Sequence, residues 1–200
     1  MKELLKEKKY IILKNLLNKE FVNLLEKTFT SNLFPWYFYD NTVTKDYESK
    51  EVKTFEIKDY LMFCHSFFLY NTEKQITESN SSYDYIITDI LKQFKKKLNL
   101  KCNLNVLRAK INFQTQYQNN KKNNINSPHY DFQVTEHYVI LYYVNDSDGD
   151  THLFNDEGNL IESVNPQKGS FLIFDGNTLH AGSNPVNSKK RLIINIDIKK

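Results

Sequence analysis

The chain of 200 residues is 40% hydrophobic and 14% aromatic, which suits one domain with a sizeable core and leaves too little chain for two. Its formal net charge of +3 is only mildly basic, and its lysines are scattered, so the composition does not support a dedicated nucleic-acid surface. No apolar run approaches the roughly 18 residues of a membrane span, and no secretory signal is evident. Cys64 and Cys102 lack zinc-site spacing. We therefore expect a soluble cytoplasmic protein with reduced thiols.

The first part of the chain predicts an amphipathic helix followed by an aromatic segment. Asn18 is a suitable N-cap for this helix. Its expected buried face consists of apolar residues at helical spacing, namely Phe21, Leu24, Leu25 and Phe29. The aromatic side chains of residues 34–39 could form core or a ligand wall, and core packing is the favoured interpretation. Residues 41–60 are polar and predict an exposed loop or edge strand.

A buried strand and a second helix are predicted next. Residues 61–70 are rich in aromatic residues, and His65 among them is interpreted as a packed core histidine. Ser81 or Ser82 is expected to cap the second helix. The buried face of that helix is predicted from apolar residues at helical spacing, namely Ile87, Ile90, Leu91, Phe94 and Leu98. The basic run at 92–97 is its solvated face.

From residue 104 onward the hydrophobic period changes to two, which predicts successive short strands. In the first strand a polar face alternates with an apolar one, and the polar residues are Arg108, Lys110, Asn112 and Gln114. An edge strand facing water and a strand lining a wet cavity explain this alternation equally well. Further strands are predicted at 137–144, 151–154, 160–164, 170–174 and 191–198, with turns at 145–149, 156–159 and 166–169.

His129 and Asp131 suggest a metal site, because residues two apart on a strand share one face. His180 follows a buried strand and a glycine-containing turn, and Arg191 opens the last strand. Two histidines and one carboxylate with open positions are the ligand set of non-haem Fe(II) oxygenases, and a nearby arginine suits an anion. The alternative is that these are ordinary packed or surface residues. His137 and His152 are interpreted as structural.

At these residues the chain resembles the Fe(II)- and 2-oxoglutarate-dependent dioxygenases, in particular their prolyl-hydroxylase-like branch. Residues 34–37 and 108–112 also resemble small phage-encoded members, which would act in the host cytosol. The resemblance implies a single domain over residues 1–200 that is mostly β with flanking helices. Residues 104–198 would form a double-stranded β-helix, a distorted jelly roll. Residues 1–103 would be helical and mixed, with their helices packed on one sheet.

The resemblance also assigns roles to individual residues. His129, Asp131 and His180 would bind Fe(II), and Arg191 would pair with the distal carboxylate of 2-oxoglutarate. Tyr143, in a Tyr-Tyr-Val-Asn strand, would donate a hydrogen bond to that carboxylate. Three further residues are expected near the co-substrate. Asn195 follows Arg191 on the same face, and Asn112 or Gln114 stands where prolyl hydroxylases have a tyrosine.

The implied activity is hydroxylation of a protein side chain or small molecule, which consumes O2 and releases succinate and CO2. Apolar side chains would keep the site dry, with Val139, Leu141, Phe174 and Ile193 as candidates. The Trp36 region and the loop at 116–127 would border the substrate entrance.

Two other functions stay open on the sequence. Oxidation of nucleic acid would use lysines as phosphate contacts, namely Lys121, Lys122, Lys189 and Lys190. Nucleic-acid demethylases of this superfamily carry a second arginine where Asp197 stands, which argues against this function. The second open function is that of a non-catalytic, metal-binding jelly-roll module. The substrate and the oligomeric state do not follow from the sequence.

Overall fold

The computed structural model describes residues 5, 8–40, 60–117, 125–131 and 135–200. Within these ranges the chain is mostly β with two helices, as predicted. The strands are β1 (Tyr10–Leu13), β2 (Tyr37–Tyr39), β3 (Met62–Asn71), β4 (Ile76–Ser79), β5 (Val106–Thr115), β6 (His137–Tyr143), β7 (Thr151–Phe154), β8 (Leu160–Val164), β9 (Phe171–Asp175), β10 (His180–Gly182) and β11 (Lys190–Lys199). The helices are α1 (Lys19–Phe29) and α2 (Tyr85–Lys97).

The strands form two antiparallel sheets. The larger sheet has eight strands, with the order β1-β9-β6-β11-β5-β3-β2 and with β4 paired to β3. The smaller sheet has the order β10-β7-β8. The last strand, β11, lies between β6 and β5, so the residues of its two faces lie at the centre of the large sheet.

The two faces of the large sheet carry separate apolar clusters. Ile140 and Tyr142 belong to the cluster that also contains the buried residues of α1 and α2. One contact between a helix and a strand in this cluster joins Phe94 and Phe171, whose ring centroids are 5.3 Å apart. Val139 and Leu141, which alternate with the first pair along β6, belong to a second cluster with residues of β7 and β8. The second face is the one that carries the candidate site.

Helix α1 begins as predicted, but its buried face is narrower than expected. The Asn18 side chain accepts hydrogen bonds from the backbone N–H groups of Glu20 at 2.8 Å and Phe21 at 3.4 Å, which confirms the N-cap. Leu25 and Phe29 are buried, whereas Leu24 is 56% exposed. The prediction for Leu24 is therefore wrong. One residue advances the helix by about 100°, which turns Leu24 away from the stripe formed by residues four apart.

The predicted cap of α2 is also wrong. The N-cap is Asp84, and its side chain makes no capping hydrogen bond. The Ser81 hydroxyl accepts instead from the backbone N–H of Tyr83 at 3.0 Å and lies 2.7 Å from Nε2 of His65. The other ring nitrogen of His65 is 2.8 Å from the carbonyl oxygen of Pro35. His65 is thus a buried, fully bonded core histidine, as predicted, and burial lowers its pKa.

The aromatic segment divides between the core and the surface. Phe34 is buried, and the Trp36 ring packs 5.3 Å from the Phe113 ring on the helix side of the sheet. Tyr37 and Phe38 are each 58% exposed, so the prediction of core packing is wrong for them. They lie on β2, which within the described residues pairs only with β3 and stands at the end of the sheet.

The interpretation of β5 is decided by its neighbours. Because β5 pairs with β11 on one side and β3 on the other, it is not an edge strand, and its inward polar residues line a cavity. The hairpin of β7 and β8 has the predicted bounds, with Gly158 in the turn at φ +81°. No helix among the described residues is long and apolar enough to cross a membrane. The predicted loop at 41–60 lies outside the described residues, apart from residue 60.

Candidate metal centre

The segment at 125–131 and strand β10 bring the predicted histidines together. His129 and His180 form an isolated antiparallel bridge in which each backbone N–H donates to the other residue's carbonyl, at 2.9 and 3.1 Å. A second bridge joins Ile125 and Ser183. The expectation that His129 and Asp131 lie on a regular strand is wrong, because His129 makes only this bridge and Asp131 lies in a bend.

The side chains of His129, Asp131 and His180 converge on one point. They offer three ligand atoms that lie within 4.8 Å of one another. Nε2 of His180 is 3.2 Å from Oδ2 of Asp131, and Nε2 of His129 is 3.9 Å from Oδ1. His180 and Asp131 are buried and His129 is half-buried. Two imidazoles and a carboxylate on one side of an open cavity fit a divalent first-row metal that keeps free coordination positions.

Backbone carbonyls fix the tautomer of both histidines. Nδ1 of His129 is 3.0 Å from the carbonyl oxygen of Ser127, and Nδ1 of His180 is 3.1 Å from that of Thr178. A carbonyl can only accept, so each Nδ1 carries a proton, and Nε2 is the ring nitrogen that faces the centre and would bind a metal once it is deprotonated. Burial and the neighbouring His180 lower the pKa of His129 to about 4. Neutral imidazoles are the form that binds metals.

Asp131 is held by two other side chains. Arg108 donates from Nη2 to Oδ1 of Asp131 at 2.8 Å, and Asn195 donates from Nδ2 to Oδ2 at 2.8 Å. Arg108 also donates from Nε to Asp197 at 2.7 Å. Burial acts to raise the pKa of Asp131, but His180 and Arg108 outweigh it and hold the pKa well below the usual range. The sequence did not reveal this role of Arg108. The sequence feature that could have indicated this role is that Arg108 and Asp197 both lie on predicted strands, where a charged residue on an inward face needs a partner.

At the other end of the cavity Arg191 is only 5% exposed. Its guanidinium donates to neutral acceptors, namely the carbonyl of Gly149 at 2.6 Å, the hydroxyl of Thr151 at 2.9 Å and the amide oxygen of Gln114. No described carboxylate lies within 4.0 Å of it. Burial lowers the pKa of Arg191 to about 10, which still leaves it charged at neutral pH. Asp150 attracts this charge only from beyond ion-pair distance, and a buried cation without a directly paired carboxylate fits an anionic ligand.

Tyr143 stands beside this arginine. Its hydroxyl donates to Thr151 at 2.9 Å, and Thr151 also accepts from Arg191. Burial raises the pKa of Tyr143 to about 12, so the phenol stays protonated. Gln114 bonds both Arg191 and Asn184. Tyr143 and Gln114 therefore lie next to the arginine, as the resemblance led us to expect, although their contacts with a co-substrate stay a prediction.

One cavity joins the triad to Arg191. It is lined by Met62, Lys110, Asn112, Gln114, Asn126, His129, Asp131, Leu141, Thr151, His180, Gly182, Arg191, Ile193 and Asn195. Three of its asparagines, residues 112, 126 and 195, have a buried side-chain oxygen without a hydrogen-bond partner. An amide can be rotated to present its NH2 group instead, so Asn112 and Asn126 can serve a polar ligand, whereas Asn195 is held by its hydrogen bond to Asp131. Asn126 and Thr151 were not among the predicted site residues.

The other predicted residues lie around this cavity or away from it. Leu141 and Ile193 line it, and Val139 and Phe174 lie in the same apolar cluster. His152 lies outside the group of three and bonds the hydroxyls of Ser163 and Ser183.

Trp36 and Lys190 do not lie where the predictions placed them. Trp36 packs on the helix side of the sheet and does not line the cavity, so its proposed place at the entrance is not supported. Lys190 lies within 4.0 Å of Glu26 on α1, and Lys189 is exposed. Lys121, Lys122 and residues 118–124 of the predicted loop lie outside the described residues.

Comparisons with known proteins agree with this geometry. Residues 115–198 match the sequence model of the 2OG-Fe(II) oxygenase superfamily. No curated protein sequence matches the chain. An oxidoreductase of the 2OG-Fe(II) oxygenase family from Burkholderia pseudomallei has a similar structure, with a TM-score of 0.69 at 9% identity over 98% of this chain and 88% of its own.

Two prolyl hydroxylases are also similar in structure. The viral collagen prolyl hydroxylase from Paramecium Bursaria Chlorella virus-1 aligns with a TM-score of 0.56 at 17% identity, over 96% of this chain and 97% of its own. A Trichoplax adhaerens prolyl hydroxylase, solved with a peptide of hypoxia inducible factor, aligns with a TM-score of 0.58 at 12% identity over 98% and 86%. Residues 115–198 thus match the 2OG-Fe(II) oxygenase superfamily, and the chain as a whole has a fold similar to that of a 2OG-Fe(II) oxygenase-family oxidoreductase and of prolyl hydroxylases.

Proposed function

We propose that the protein hydroxylates a C–H bond of a protein side chain or a small molecule. In this proposal His129, Asp131 and His180 hold Fe(II), and Arg191 holds the distal carboxylate of 2-oxoglutarate. The observation that carries it is Arg191, a buried cation with neutral partners in a cavity that also contains the triad. A dicarboxylate would bind both Arg191 and the metal, with one carboxylate on the guanidinium and the other at the metal.

The residues between these two points would position the co-substrate. Thr151 lines the polar end of the cavity and accepts hydrogen bonds from Arg191 and Tyr143. Asn112 and Asn126 offer amide groups that have spare hydrogen-bonding capacity. Leu141 and Ile193 supply apolar surface on the same cavity wall. This combination of a fixed cation, rotatable amides and a dry wall would hold an anion in one orientation and limit the access of water.

Bound Fe(II) would supply the activation of O2, such that 2-oxoglutarate, O2 and a substrate C–H give succinate, CO2 and a substrate C–OH. The two neutral imidazoles and the Asp131 carboxylate would leave a centre of net charge +1, which favours a dianionic co-substrate. The chain's own task would be to hold ligands and substrate in a fixed geometry.

A protein substrate is favoured by the likeness to a prolyl hydroxylase solved with a peptide. We also propose that residues 104–198, whose strands contribute to both sheets, form a double-stranded β-helix core, and that residues 1–103 complete a single domain. Lys190, a predicted phosphate contact of the nucleic-acid hypothesis, is next to Glu26 instead. No described contact favours that hypothesis.

The test is anaerobic addition of Fe(II) and 2-oxoglutarate to purified protein. We expect the weak visible charge-transfer band of the metal chelate. His180→Ala should abolish the band, and Arg191→Met should require about 10- to 100-fold more 2-oxoglutarate to produce it, because a charged, bidentate contact is lost. His152→Gln is the matched control, because it removes a histidine outside the triad, and it should keep the band. A folded wild-type protein without any band would refute the proposal.

A further inference from the structure

Arg108 is a half-buried arginine that holds Asp131 but has no part in the proposed function so far. It lies on β5 directly opposite Asp197 on β11. Its Nε donates to Oδ2 of Asp197 at 2.7 Å, and its Nη2 donates to Oδ1 of Asp131 at 2.8 Å. The side chains of the two aspartates are almost completely buried. One guanidinium therefore joins a candidate metal ligand to a second carboxylate that is outside the ligand group.

Each carboxylate oxygen of Asp131 accepts a hydrogen bond from a different side chain. Oδ1 accepts from Arg108, whereas Oδ2 accepts from Asn195 and faces Nε2 of His180 at 3.2 Å. Oδ1 is the oxygen that lies 3.9 Å from Nε2 of His129. Arg108 and Asn195, one on each oxygen, thus fix the rotation of the carboxylate about its χ2 angle and hold it between the two histidines.

The positive charge of Arg108 explains why Asp197 is paired with it. A lone guanidinium on the carboxylate would repel a divalent cation bound to the same carboxylate. Burial raises the pKa of Asp197, and Arg108 opposes this rise. When the carboxylate is ionised, its charge cancels that of Arg108 and the pair is neutral overall. Asp197 makes no other described side-chain hydrogen bond, and its Oδ1 is buried without a partner. Burying this carboxylate costs solvation energy, and the contact that offsets the cost is Arg108.

We propose that Arg108 and Asp197 form a neutral pair that positions Asp131 for metal binding. Arg108 orients the carboxylate, and Asp197 cancels the charge of Arg108 so that the metal is not repelled. Both are positioning residues, because neither belongs to the ligand group. The inference rests on the proposed function, since it requires a metal at His129, Asp131 and His180.

The test measures metal binding without turnover. Mn(II) affinity is obtained from the electron paramagnetic resonance signal of free Mn(II), and ligand geometry from the visible spectrum of the Co(II)-loaded protein. Asp197→Asn keeps the shape but leaves Arg108 uncompensated, and it should weaken Mn(II) binding about 10- to 100-fold. Arg108→Lys keeps the charge but loses the two-pronged contact, and it should change the Co(II) spectrum and weaken Mn(II) binding about 10-fold.

Asp175→Asn is the matched control, because it removes a carboxylate that pairs with Lys200 outside the site, and it should bind both metals like the wild type. Should Asp197→Asn fail to fold, the double variant Arg108→Gln/Asp197→Asn replaces it, since it leaves no charge at the pair, and its Mn(II) affinity should fall about 10-fold. Mn(II) affinities within twofold of the wild type and unchanged Co(II) spectra in the pair variants would overturn the proposal while leaving the proposed function intact. A wild-type protein that binds neither metal would overturn both.

Discussion

At the scale of single residues, the two arginines of the site, one half-buried and one buried, differ in what surrounds them. Arg108 contacts two carboxylates, whereas Arg191 contacts a carbonyl, a hydroxyl and an amide. Burial acts to lower the pKa of both. For Arg108 the ion pairs with Asp197 and Asp131 outweigh burial, whereas for Arg191 the attraction of Tyr143 and Asp150 does not. The charge of Arg108 is therefore satisfied within the chain, while that of Arg191 is left for a ligand. This difference separates a positioning residue from a binding residue.

A substitution of Gly182 would show how tightly the Arg191 guanidinium is confined. A Cβ at this position would lie 3.0 Å from Nη1 and 3.1 Å from Nη2 of Arg191, closer than ordinary van der Waals contact. The guanidinium cannot retreat without breaking its bonds to Gly149, Gln114 and Thr151. We therefore expect Gly182→Ala to weaken 2-oxoglutarate binding about 10-fold while Mn(II) affinity stays unchanged. Titration of each ligand into the variant separates the two effects, and equal losses of both would contradict this explanation.

The sequence predicted the convergent residues of the site better than the contacts around them. His129, Asp131 and His180 could be found because two histidines and a carboxylate form a known ligand set. The Arg108 contact could not be found, because it depends on the register that places Arg108 opposite Asp197, 89 positions further along the chain. Residue types do not specify a register between strands so far apart in sequence.

At the scale of elements, helix α1 shows what hydrophobic periodicity can and cannot specify. Its apolar residues predict a helix with one buried side, and Asn18 specifies where it begins. The centre of the buried stripe depends on how the helix is rotated against the sheet, which the sequence does not contain. Leu24 was expected inside and is exposed. For the same reason, alternation predicted β5 as a strand but did not decide between an edge and a cavity wall.

The rotation of α1 can be tested with two adjacent leucines. Leu25 is 1% exposed in the helix-side cluster, whereas Leu24 is 56% exposed. We expect Leu25→Ala to lower the free energy of unfolding by about 3 kcal/mol, because it removes packed side-chain atoms and leaves a cavity. Leu24→Ala should change it by less than about 0.5 kcal/mol. Urea denaturation of both variants gives the comparison, and similar losses at the two positions would mean that the helix is rotated differently.

At the scale of the whole molecule, the large sheet separates packing from chemistry. Its helix side carries the larger apolar cluster, and its other side carries the cavity with its buried charges and spare amides. Residues of β6 and β11 serve both sides in alternation, so the core that stabilises the fold also fixes the backbone under the site. Substitutions of the cavity residues can therefore alter binding with limited effect on stability, whereas those on the helix side mainly affect stability.

Asp148 ties the segment after β6 to the segment that precedes β11, and it gives the fold a pH-dependent contribution. Its carboxylate accepts from the backbone N–H groups of Asn187 at 2.7 Å and Ser188 at 2.9 Å. Partial burial acts to raise the pKa of Asp148, but these hydrogen bonds together outweigh it and lower the pKa to about 2. Because the folded pKa lies below the unfolded value of about 3.9, the ionised carboxylate stabilises the fold above roughly pH 4. This contribution is lost as the pH falls through 2.

Comparison with Asp148→Asn isolates this contribution from that of the other acids. At pH 7 we expect the variant to be less stable by about 1 kcal/mol, less than the pKa shift alone would imply, because the carboxylate is partly exposed to solvent. The difference should be constant from pH 7 to about 4 and then shrink toward pH 2 as the wild-type carboxylate becomes protonated. Urea denaturation at each pH measures it. A difference that persists unchanged at pH 2 would show that Asn disturbs the loop by its shape, and the charge-dependent explanation would be wrong.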